Sequence, residues 1–349
     1  METDRYHRQV LLPQIGPAGQ ARLAESRIIV VGCGALGSVI ADQLARAGVG
    51  SLCLVDRDVV EWTNLQRQTL FDEADAREAT PKAVAAKRRL ERVNSSIEID
   101  AFVTDVHSGN IEEIIGVERG GRKASVILDG TDNVETRYLI NDVAVKHGLP
   151  WVYGACVGTE GRVMGIRPGI TACLRCVFPT PPAGAELPTC DTAGVLAPAA
   201  NVVASLQAIA ALQILCGDGA GASGKLLKLD AWNGRFHSLH IGQRSPDCPT
   251  CGKRHFEFLE QADGPTTCLC GRRAVQVRAP RGIEPFDLDA AELKLARVGI
   301  VQRTQYLLRF RLNDQADLEL TLFSDGRLIV AGTTDPARAR ALYARYVGV

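Results

Sequence analysis

A glycine-rich loop near the start of the chain is followed by an acid that suits nucleotide binding. Residues 28–37 read IIVVGCGALG, an apolar strand that runs into Gly32, Gly34 and Gly37. Such a turn lets the backbone approach a phosphate or nucleoside at a helix N-terminus. Asp56 closes the next apolar strand, where dinucleotide-binding folds carry the acid that holds a ribose. The loop and Asp56 together predict a nucleotide site.

Two cations further along favour ATP over a nicotinamide cofactor. Arg67 lies in an otherwise uncharged run, residues 64–70. Lys82 is predicted in the first turn of a helix, where the helix dipole disfavours a cation unless an anion binds beside it. A surface arginine and a solvated lysine are the alternatives. Hydride transfer has no evident need for these two side chains, whereas binding a triphosphate does.

A second acid suits a metal ion. Asp132 follows a short buried strand, and no cation is near it in the sequence. A carboxylate there suits Mg²⁺, which prefers hard oxygen ligands. The alternative is that Asp132 caps the helix predicted to start near residue 133, and the two roles are compatible.

The cysteines predict a second metal site. Cys173 and Cys176 form one C-x-x-C pair, and Cys248 and Cys251 form another. Four thiolates close a tetrahedral site that suits structural zinc, and the long gap means that the metal joins distant segments. A redox role for either pair is the alternative. Eleven cysteines, without a signal peptide, indicate a reducing, cytoplasmic compartment.

Cys190 stands apart from the other cysteines. It lies in the polar segment LPTCDTAG ahead of an uncharged helix. An exposed thiol near a helix start has a lowered pKa, which makes Cys190 a candidate nucleophile. An incidental loop cysteine is the alternative.

Strands and helices alternate through the first half of the chain, which predicts an α/β fold with a doubly wound, Rossmann-like, mostly parallel sheet. The predicted strands are 27–31, 51–55, 97–103, 125–128 and 151–155. The predicted helices are 35–47, 81–93 and 133–147, the second with Thr80 as its cap and Pro81 as its first residue. Ligands then bind at the carboxyl ends of the strands, where Asp56 and Asp132 converge on the glycine loop.

The second half has a different pattern. Segments 158–166 and 225–241 read as an antiparallel extension of the sheet. Beyond residue 264 a small α+β unit is predicted from strands at 273–278, 298–302, 305–311, 317–323 and 327–331 and a helix at 335–346. We therefore predict two domains, 1–262 and 263–349.

The charge and hydropathy of the chain limit the classes of partner that we expect. Lys and Arg total 40, as do Asp and Glu, so no basic excess indicates DNA or a membrane surface. The uncharged stretch 192–217 is long enough to span a bilayer. However, it contains Pro198, several polar residues and many alanines, which favours a buried helix, as at a subunit interface.

These motifs together resemble the ThiF/MoeB family, the bacterial relatives of ubiquitin-activating enzymes. The resemblance covers roughly residues 5–252. Besides the glycine loop and the two C-x-x-C pairs, its motifs are RYHRQ (5–9), DRD (56–58), NLQRQ (64–68), PK (81–82), TDN (131–133) and TCDTAG (189–194). The tail, with CGR at 270–272 and DGR at 325–327, resembles the extension of longer ThiF proteins of thiamin biosynthesis.

The resemblance implies an enzyme that adenylates the C-terminal Gly-Gly carboxylate of a ubiquitin-like sulfur carrier, of the ThiS or MoaD type, with ATP. It implies that Asp56 binds the ribose, Asp132 the Mg²⁺, and that Arg8 reaches the neighbouring subunit's site in a homodimer. It implies nucleotide contacts by a wider set: Gly32, Gly34, Ala35, Gly37, Asp58, Asn64, Arg67, Gln68, Lys82 and Asn133. Ala35 stands where MoeB-like members often have glycine.

The resemblance also bears on the sulfur-transfer step. Cys190 matches a cysteine that some members use for a thioester or acyl-disulfide step. A cysteine desulfurase or rhodanese-like protein would donate the sulfur. The other functions considered are a Rossmann-type NAD oxidoreductase, a non-catalytic module that recognises a ubiquitin-like tail, and adenylation of a modified tRNA base.

Overall fold

The computed structural model describes residues 5–117, 122–181, 193–217, 224–261, 266–269, 273–278 and 286–348. Contacts within the chain divide it into two units, Met1–Ala262 and Asp263–Val349. Each unit has its own sheet and its own hydrophobic core.

The first unit is built on an eight-stranded sheet. Its strands are β1 (Arg27–Val31), β2 (Ser51–Val55), β3 (Glu98–Phe102), β4 (Val126–Asp129), β5 (Trp151–Val157), β6 (Glu160–Ile166), β7 (Lys225–Asp230) and β8 (Arg235–His240). Their order across the sheet is β3-β2-β1-β4-β5-β6-β7-β8. The first five strands in that order pair in parallel and the remaining pairs are antiparallel. The predicted fold class, a mostly parallel sheet with an antiparallel extension, is confirmed.

Helices connect and cover these strands. They are α1 (His7–Val10), α2 (Gly16–Glu25), α3 (Gly37–Ala47), α4 (Glu73–Glu78), α5 (Lys82–Val93), α6 (Ile111–Ile114), α7 (Val134–His147), α8 (Leu174–Val177), α9 (Ala197–Cys216) and α10 (Glu257–Glu260), with a 3-10 turn at Trp62–Asn64. Helix α5 begins one residue later than predicted. Pro81 takes the cap position with an extended ψ of 133°, so Lys82 is the first helical residue.

The central strands are apolar on both sides because helices pack on both faces of the sheet. All five residues of β2 and all four of β4 are buried. Two clusters of buried side chains, one on each face, form the core of this unit. The loops at the carboxyl ends of the parallel strands are therefore held by rigid elements.

Helix α9 is the uncharged helix of the sequence. Among the described residues it alone is long and apolar enough to cross a membrane, and half of its most apolar window is buried. A core helix passes the same test of length and composition. Helix α9 packs against β5, β6, α2 and α3, so the buried helix predicted from the sequence is found with one part of its surface packed and another exposed.

The second unit has a six-stranded antiparallel sheet. Its strands are β9 (Thr266–Leu269), β10 (Ala274–Val277), β11 (Gly299–Arg303), β12 (Leu307–Leu312), β13 (Gln315–Phe323) and β14 (Leu328–Ala331), in the order β11-β12-β13-β14-β10-β9. Two helices, α11 (Leu288–Leu295) and α12 (Pro336–Tyr346), contribute to its core. The α+β prediction is confirmed, although β9 and α11 were not among the predicted elements.

Candidate active site

The loops that follow β1, β2, β3 and β4 line one pocket at the carboxyl edge of the sheet. Ten of the residues predicted to contact the nucleotide line it: Gly32, Gly34, Ala35, Asp56, Asp58, Arg67, Gln68, Lys82, Asp132 and Asn133. They come from five separate stretches of sequence, and the parallel sheet brings them together. Gly37 and Asn64 are not among its lining residues.

The glycines of the first loop have different roles. Gly32 has a φ of +90°, and a Cβ there would lie 2.7 Å from the carbonyl oxygen of Gly130. A Cβ on Gly37 would lie 1.8 Å from the carbonyl oxygen of Gly32. Gly37 therefore lets α3 pack against the loop, and the nucleotide contact expected of it stays a prediction.

Asp56 joins the first two loops. Its Oδ2 accepts a hydrogen bond from the backbone N–H of Cys33 at 2.6 Å, and its Oδ1 accepts one from the N–H of Asp58 at 2.7 Å. Burial raises the pKa of Asp56, and the nearby Lys82 opposes that rise. The carboxylate is thus fixed at the end of β2, with both oxygens already held by backbone donors.

Lys82 is buried in the wall of the pocket at the start of α5. Its Nζ lies 3.2 Å from Oδ2 of Asp58, and its backbone N–H donates to the carbonyl of Asp58. Burial alone would lower the pKa of Lys82, but Asp58, Asp56 and Asp132 outweigh it and the pKa is raised. Lys82 therefore carries a positive charge into a desolvated position.

Arg57 is a pocket residue that the sequence analysis missed. Its Nη1 lies 3.0 Å from Oδ1 of Asp105, and the residue lines the pocket. Burial alone would lower the pKa of Arg57, but Asp105 and Asp58 raise it. The alternation Asp56-Arg57-Asp58 was the available signal, since the carboxyl end of β2 directs all three residues to the pocket edge.

Asn64 is buried beside the pocket and holds the turn that carries Arg67 and Gln68. Its side chain is 1 % exposed, and its Oδ1 accepts from the backbone N–H of Glu61 at 3.1 Å. Its carbonyl oxygen accepts from the backbone N–H groups of Arg67 and Gln68. The Oδ1 of Asn64 caps the 3-10 turn, and the phosphate contact expected of its side chain stays a prediction.

Arg67 and Gln68 follow that turn and line the pocket. The Nη1 of Arg67 donates to the carbonyl of Thr63 at 2.8 Å, and the arginine is partly exposed. Gln68 is 4 % exposed, and its Oε1 has no hydrogen-bond partner within the described part of the chain. A buried acceptor without a donor is costly, so Gln68 is available to a donor on a ligand.

The loop after β4 carries Asp132 and Asn133. The Oδ1 of Asn133 accepts from the backbone N–H of Thr136 at 3.1 Å and so caps α7. The alternative that Asp132 is the cap is therefore wrong. Asp132 is exposed at the pocket, close enough to raise the pKa of Arg57 and Lys82.

Arg137 is a second missed pocket residue. Its Nε lies 3.1 Å from Oδ2 of the fully buried Asp129, and its Nη2 donates to the carbonyl of Thr131 at 2.7 Å. Its guanidinium also lies 5.5 Å from the ring centre of Tyr153. Arg137 thus holds the loop that carries Asp132. In the sequence it is one more arginine in a helix, with no spacing that marks it.

Arg8 lies on the side of the sheet where the parallel strands begin, opposite their carboxyl ends. Its neighbour Gln9 donates from Nε2 to the carbonyl of Ala47, at the C-terminal end of α3. The pocket lies at the N-terminal end of α3, which is about 15 Å away along an eleven-residue helix. The structure therefore does not bring Arg8 to the pocket of its own chain. Cys190 lies outside the described residues.

The four predicted cysteine ligands converge in one cluster. The sulfur atoms of Cys173, Cys176, Cys248 and Cys251 all lie within 4.8 Å of one another. Three of the separations are 3.9, 3.6 and 3.3 Å. A tetrahedral site with Zn–S bonds of about 2.3 Å needs sulfurs about 3.8 Å apart. The donor set and its spacing fit a zinc ion.

The electrostatics of the cluster also favour a cation. Burial, followed by the neighbouring thiolates of Cys176, Cys251 and Cys248, raises the pKa of Cys173. Four sulfurs this close cannot all be thiolates without a compensating positive charge. A divalent metal would supply it, because thiolates are the form in which cysteine binds zinc.

A family model described as the ThiF family matches residues 6–250. The chain belongs to the ThiF family. It is 42% identical over 349 residues to a sulfur carrier protein ThiS adenylyltransferase of Bacillus subtilis, covering 99% of this chain and 100% of the relative. It is 41% identical over 256 residues to a sulfur carrier protein adenylyltransferase of Thermus thermophilus, covering 72% and 91%. These named relatives are adenylyltransferases, in contrast to the oxidoreductase alternative.

A solved structure agrees with the ThiF-family fold. The crystal structure of Escherichia coli MccB with ATP is 24% identical, has a TM-score of 0.58, and covers 67% of this chain and 68% of that one. The likeness shows that the doubly wound sheet and its antiparallel extension recur in that protein. ThiF-family membership and the pocket are thus established by independent observations.

Proposed function

We propose that this chain uses ATP to adenylate the C-terminal carboxylate of a ubiquitin-like sulfur carrier protein. The observation that carries the proposal is the pocket in which Lys82, Arg57 and Asp132 meet the glycine loop. A ThiS-type carrier is favoured because the match to the Bacillus subtilis ThiS adenylyltransferase continues through the second unit, whereas the Thermus match covers 72% of this chain.

Each pocket residue has a role in this proposal. Asp56 accepts hydrogen bonds from the ribose, and Gln68, whose buried Oε1 is unsatisfied, accepts one from another donor on the nucleotide. The backbone of the glycine loop approaches the phosphates at the N-terminus of α3. Lys82 and Arg67 stabilise the charge that develops on the phosphates.

The reaction joins two anions. A carboxylate oxygen of the carrier attacks the α-phosphorus of ATP, the bond from that phosphorus to the bridging oxygen breaks, and pyrophosphate leaves. The carboxylate is already ionised at neutral pH, so no general base is needed. Positioning and charge neutralisation supply the catalysis.

The charges of the pocket favour magnesium as the companion of ATP. Lys82, Arg57 and Arg137 are already paired with Asp58, Asp105 and Asp129, so a triphosphate adds negative charge that these cations cannot fully neutralise. Asp132 is the exposed carboxylate that would hold Mg²⁺ there. Bound with the triphosphate, Mg²⁺ would neutralise part of its charge. We propose Zn²⁺ as the structural ion of the four-cysteine cluster.

A homodimer completes the proposed site. Arg8 is too far from the pocket of its own chain, so its proposed contact with the phosphates comes from a second copy.

After adenylation, a persulfide sulfur from a cysteine desulfurase or rhodanese-like donor attacks the acyl carbon, and AMP leaves. Cys190 remains the predicted residue for a covalent step, and Cys190→Ser should impair sulfur transfer while leaving adenylation intact.

The proposal is tested by exchange of labelled pyrophosphate into ATP. The full chain is assayed with a ThiS-type carrier that ends in Gly-Gly and with the same carrier lacking its last glycine. We expect exchange with the intact carrier and background exchange with the truncated one. Absence of exchange with the intact carrier, or equal exchange without any carrier, would contradict the proposed function.

A further inference from the structure

Helix α7 links the nucleotide pocket to the four-cysteine cluster. The cap of the helix, Asn133, lines the pocket. Asn141 lies in the middle of the helix, beside Cys173. The separation of the two asparagines by eight positions corresponds to a rise of about 12 Å. Asn133, Arg137 and Asn141 are spaced by four, so they lie along one side of the helix.

Asn141 contacts the first cysteine pair. It is fully buried, and its Oδ1 accepts from the backbone N–H of Leu174 at 2.9 Å. Its Nδ2 donates to Sγ of Cys173 at 3.8 Å. One amide therefore fixes the backbone of the pair and donates to a sulfur that would bind the metal. A donor in this position stabilises a thiolate ligand.

Asp142, the next residue, contacts the second cysteine pair. Its Oδ1 accepts from Oγ1 of Thr250, which lies between Cys248 and Cys251, at 3.0 Å. Its Oδ2 accepts from the backbone N–H of Phe258 at 2.9 Å. Both Asp142 and Thr250 are fully buried. Two adjacent side chains of α7 thus hold both halves of the cluster, which the sequence separates by more than seventy residues.

The other end of α7 holds the loop that carries Asp132. Arg137 binds Oδ2 of Asp129 and the carbonyl of Thr131, and Asn133 binds the first turn. Because a helix of this length is stiff, a shift of its middle moves this loop. The cysteine cluster and the loop are therefore mechanically connected through named hydrogen bonds.

We propose that Asn141 and Asp142 are positioning residues that make the nucleotide pocket depend on metal in the cysteine cluster. Metal binding draws the two pairs together on α7, and α7 then holds Asp132 at the pocket. The inference rests on the proposed function, since it assumes that the pocket binds Mg²⁺ and ATP and that the cluster binds Zn²⁺.

The first experiment uses the wild-type full chain. Zinc is removed with a chelator and then restored, and two quantities are measured: the affinity for ATP with Mg²⁺ and the hydrogen exchange of amides in 129–137. We expect zinc removal to weaken ATP binding at least about tenfold and to speed exchange in 129–137, with the helix at 37–47 unchanged. Restored zinc should reverse both effects.

The outcomes separate the two proposals. If the zinc-loaded chain binds ATP and zinc removal changes neither quantity, the link through α7 is overturned while the proposed function stands. If the zinc-loaded chain binds no ATP with Mg²⁺ present, both are overturned. The experiment needs no substitution and so does not depend on the folding of a variant.

The second experiment compares Asn141→Ala with Asn94→Ala. Asn94 is also fully buried, but it holds the carbonyl of Ala45 far from the cluster. We expect Asn141→Ala to lower zinc affinity about 10- to 100-fold, measured against a coloured chelator, and Asn94→Ala to leave it unchanged. ATP binding by Asn141→Ala should be weak at limiting zinc and recover with excess zinc. Unchanged zinc affinity in Asn141→Ala would overturn the proposal.

Discussion

The Nζ of Lys82 lies 3.2 Å from Oδ2 of Asp58, and the lysine is 5 % exposed. The pair sits within reach of Asp56 and Asp132, which also raise the pKa of Lys82. A buried cation that faces several carboxylates is arranged to receive an anion together with a metal ion. The proposed chemistry therefore depends on Lys82 more than on Arg67, which is only partly buried.

Lys82→Met tests this dependence, because methionine keeps much of the chain length and removes the charge. We expect pyrophosphate exchange to fall about 100-fold or more, since one charge-stabilising donor in a desolvated site commonly contributes that much. Lys87→Met is the matched control: Lys87 lies on the same helix, is partly exposed and pairs only weakly with Glu91. Wild-type exchange rates in Lys82→Met would remove the lysine from the site.

Asp132→Asn tests the proposed magnesium ligand. The amide keeps the shape of the side chain and loses the charge that attracts the ion. We expect the Mg²⁺ concentration needed for half-maximal exchange to rise at least about tenfold. Glu135→Gln removes an exposed acid three residues away, in the first turn of α7, and should leave this requirement unchanged. Equal magnesium titrations of the two variants would argue against Asp132.

Substitutions at Gly34 and Gly37 should affect different properties, ATP affinity in the first case and stability in the second. A Cβ on Gly37 would lie 1.8 Å from the carbonyl oxygen of Gly32, whereas a Cβ on Gly34 would meet no described atom closer than 3.8 Å. We expect Gly37→Ala to lower the free energy of unfolding by about 2 kcal/mol or more, since overpacking moves the backbone. Gly34→Ala should unfold at the wild-type Tm and lose affinity for ATP.

Thermal unfolding and ATP titration of both variants check this expectation. The substitutions add the same methyl group three residues apart, so each serves as the control for the other. A stable Gly37→Ala protein, or an unstable Gly34→Ala protein, would contradict the two roles assigned to these glycines.

The buried Asp129 predicts a pH dependence of stability. Burial raises its pKa to about 6, even though Arg137 opposes the rise. The unfolded value is about 3.9, so between pH 4 and 6 the native state binds a proton that the unfolded state does not. The stabilisation is therefore full below about pH 4 and is lost as the pH rises through about 6.

Asp129→Asn isolates this effect, because asparagine is neutral at every pH. Relative to that variant, the wild type should gain about 1 kcal/mol in free energy of unfolding between pH 8 and pH 5. Urea unfolding of both proteins at each pH unit measures the difference. A difference that is constant, or that grows in the opposite direction, would show that Asp129 keeps its charge throughout.

The glycine loop, the strand ends and the cysteine pairs were predictable because each depends on local sequence. An apolar strand followed by closely spaced glycines fixes a turn, and C-x-x-C fixes two sulfurs. The run Asp56-Arg57-Asp58 indicated that Arg57 lies at a strand end, but its ion pair, like that of Arg137, depends on a carboxylate from a different segment of the chain. Asp105 reaches Arg57 across 48 residues, and no spacing in the sequence signals that contact.

Asn64 and helix α11 show two other limits of predicting structure from the sequence. The resemblance implies a phosphate contact for Asn64, and its amide oxygen also caps a turn, which only the three-dimensional path of the chain reveals. Helix α11 has eight residues, too few for a clear apolar period, although its cap Asp287 was a usable signal. Short elements are decided by tertiary packing more than by their own sequence.

Arg8 gives the strongest test of the proposed homodimer. It lies at the opposite edge of the sheet from the pocket, with α1 tied to the C-terminal end of α3 through Gln9 and Ala47. If Arg8 acts on the pocket of a second copy, Arg8→Ala and Lys82→Met damage different halves of each composite site. A mixed dimer then contains one intact site, built from the Arg8 of one copy and the Lys82 of the other.

Each variant alone should therefore exchange pyrophosphate poorly, and their mixture should recover activity. After unfolding and refolding together in equal amounts, half of the dimers are mixed and each has one good site, so about a quarter of wild-type activity is expected. The control is Arg8→Ala alone, unfolded and refolded in the same way. If the mixed sample stays as inactive as its components while dimers form, Arg8 does not act across the interface.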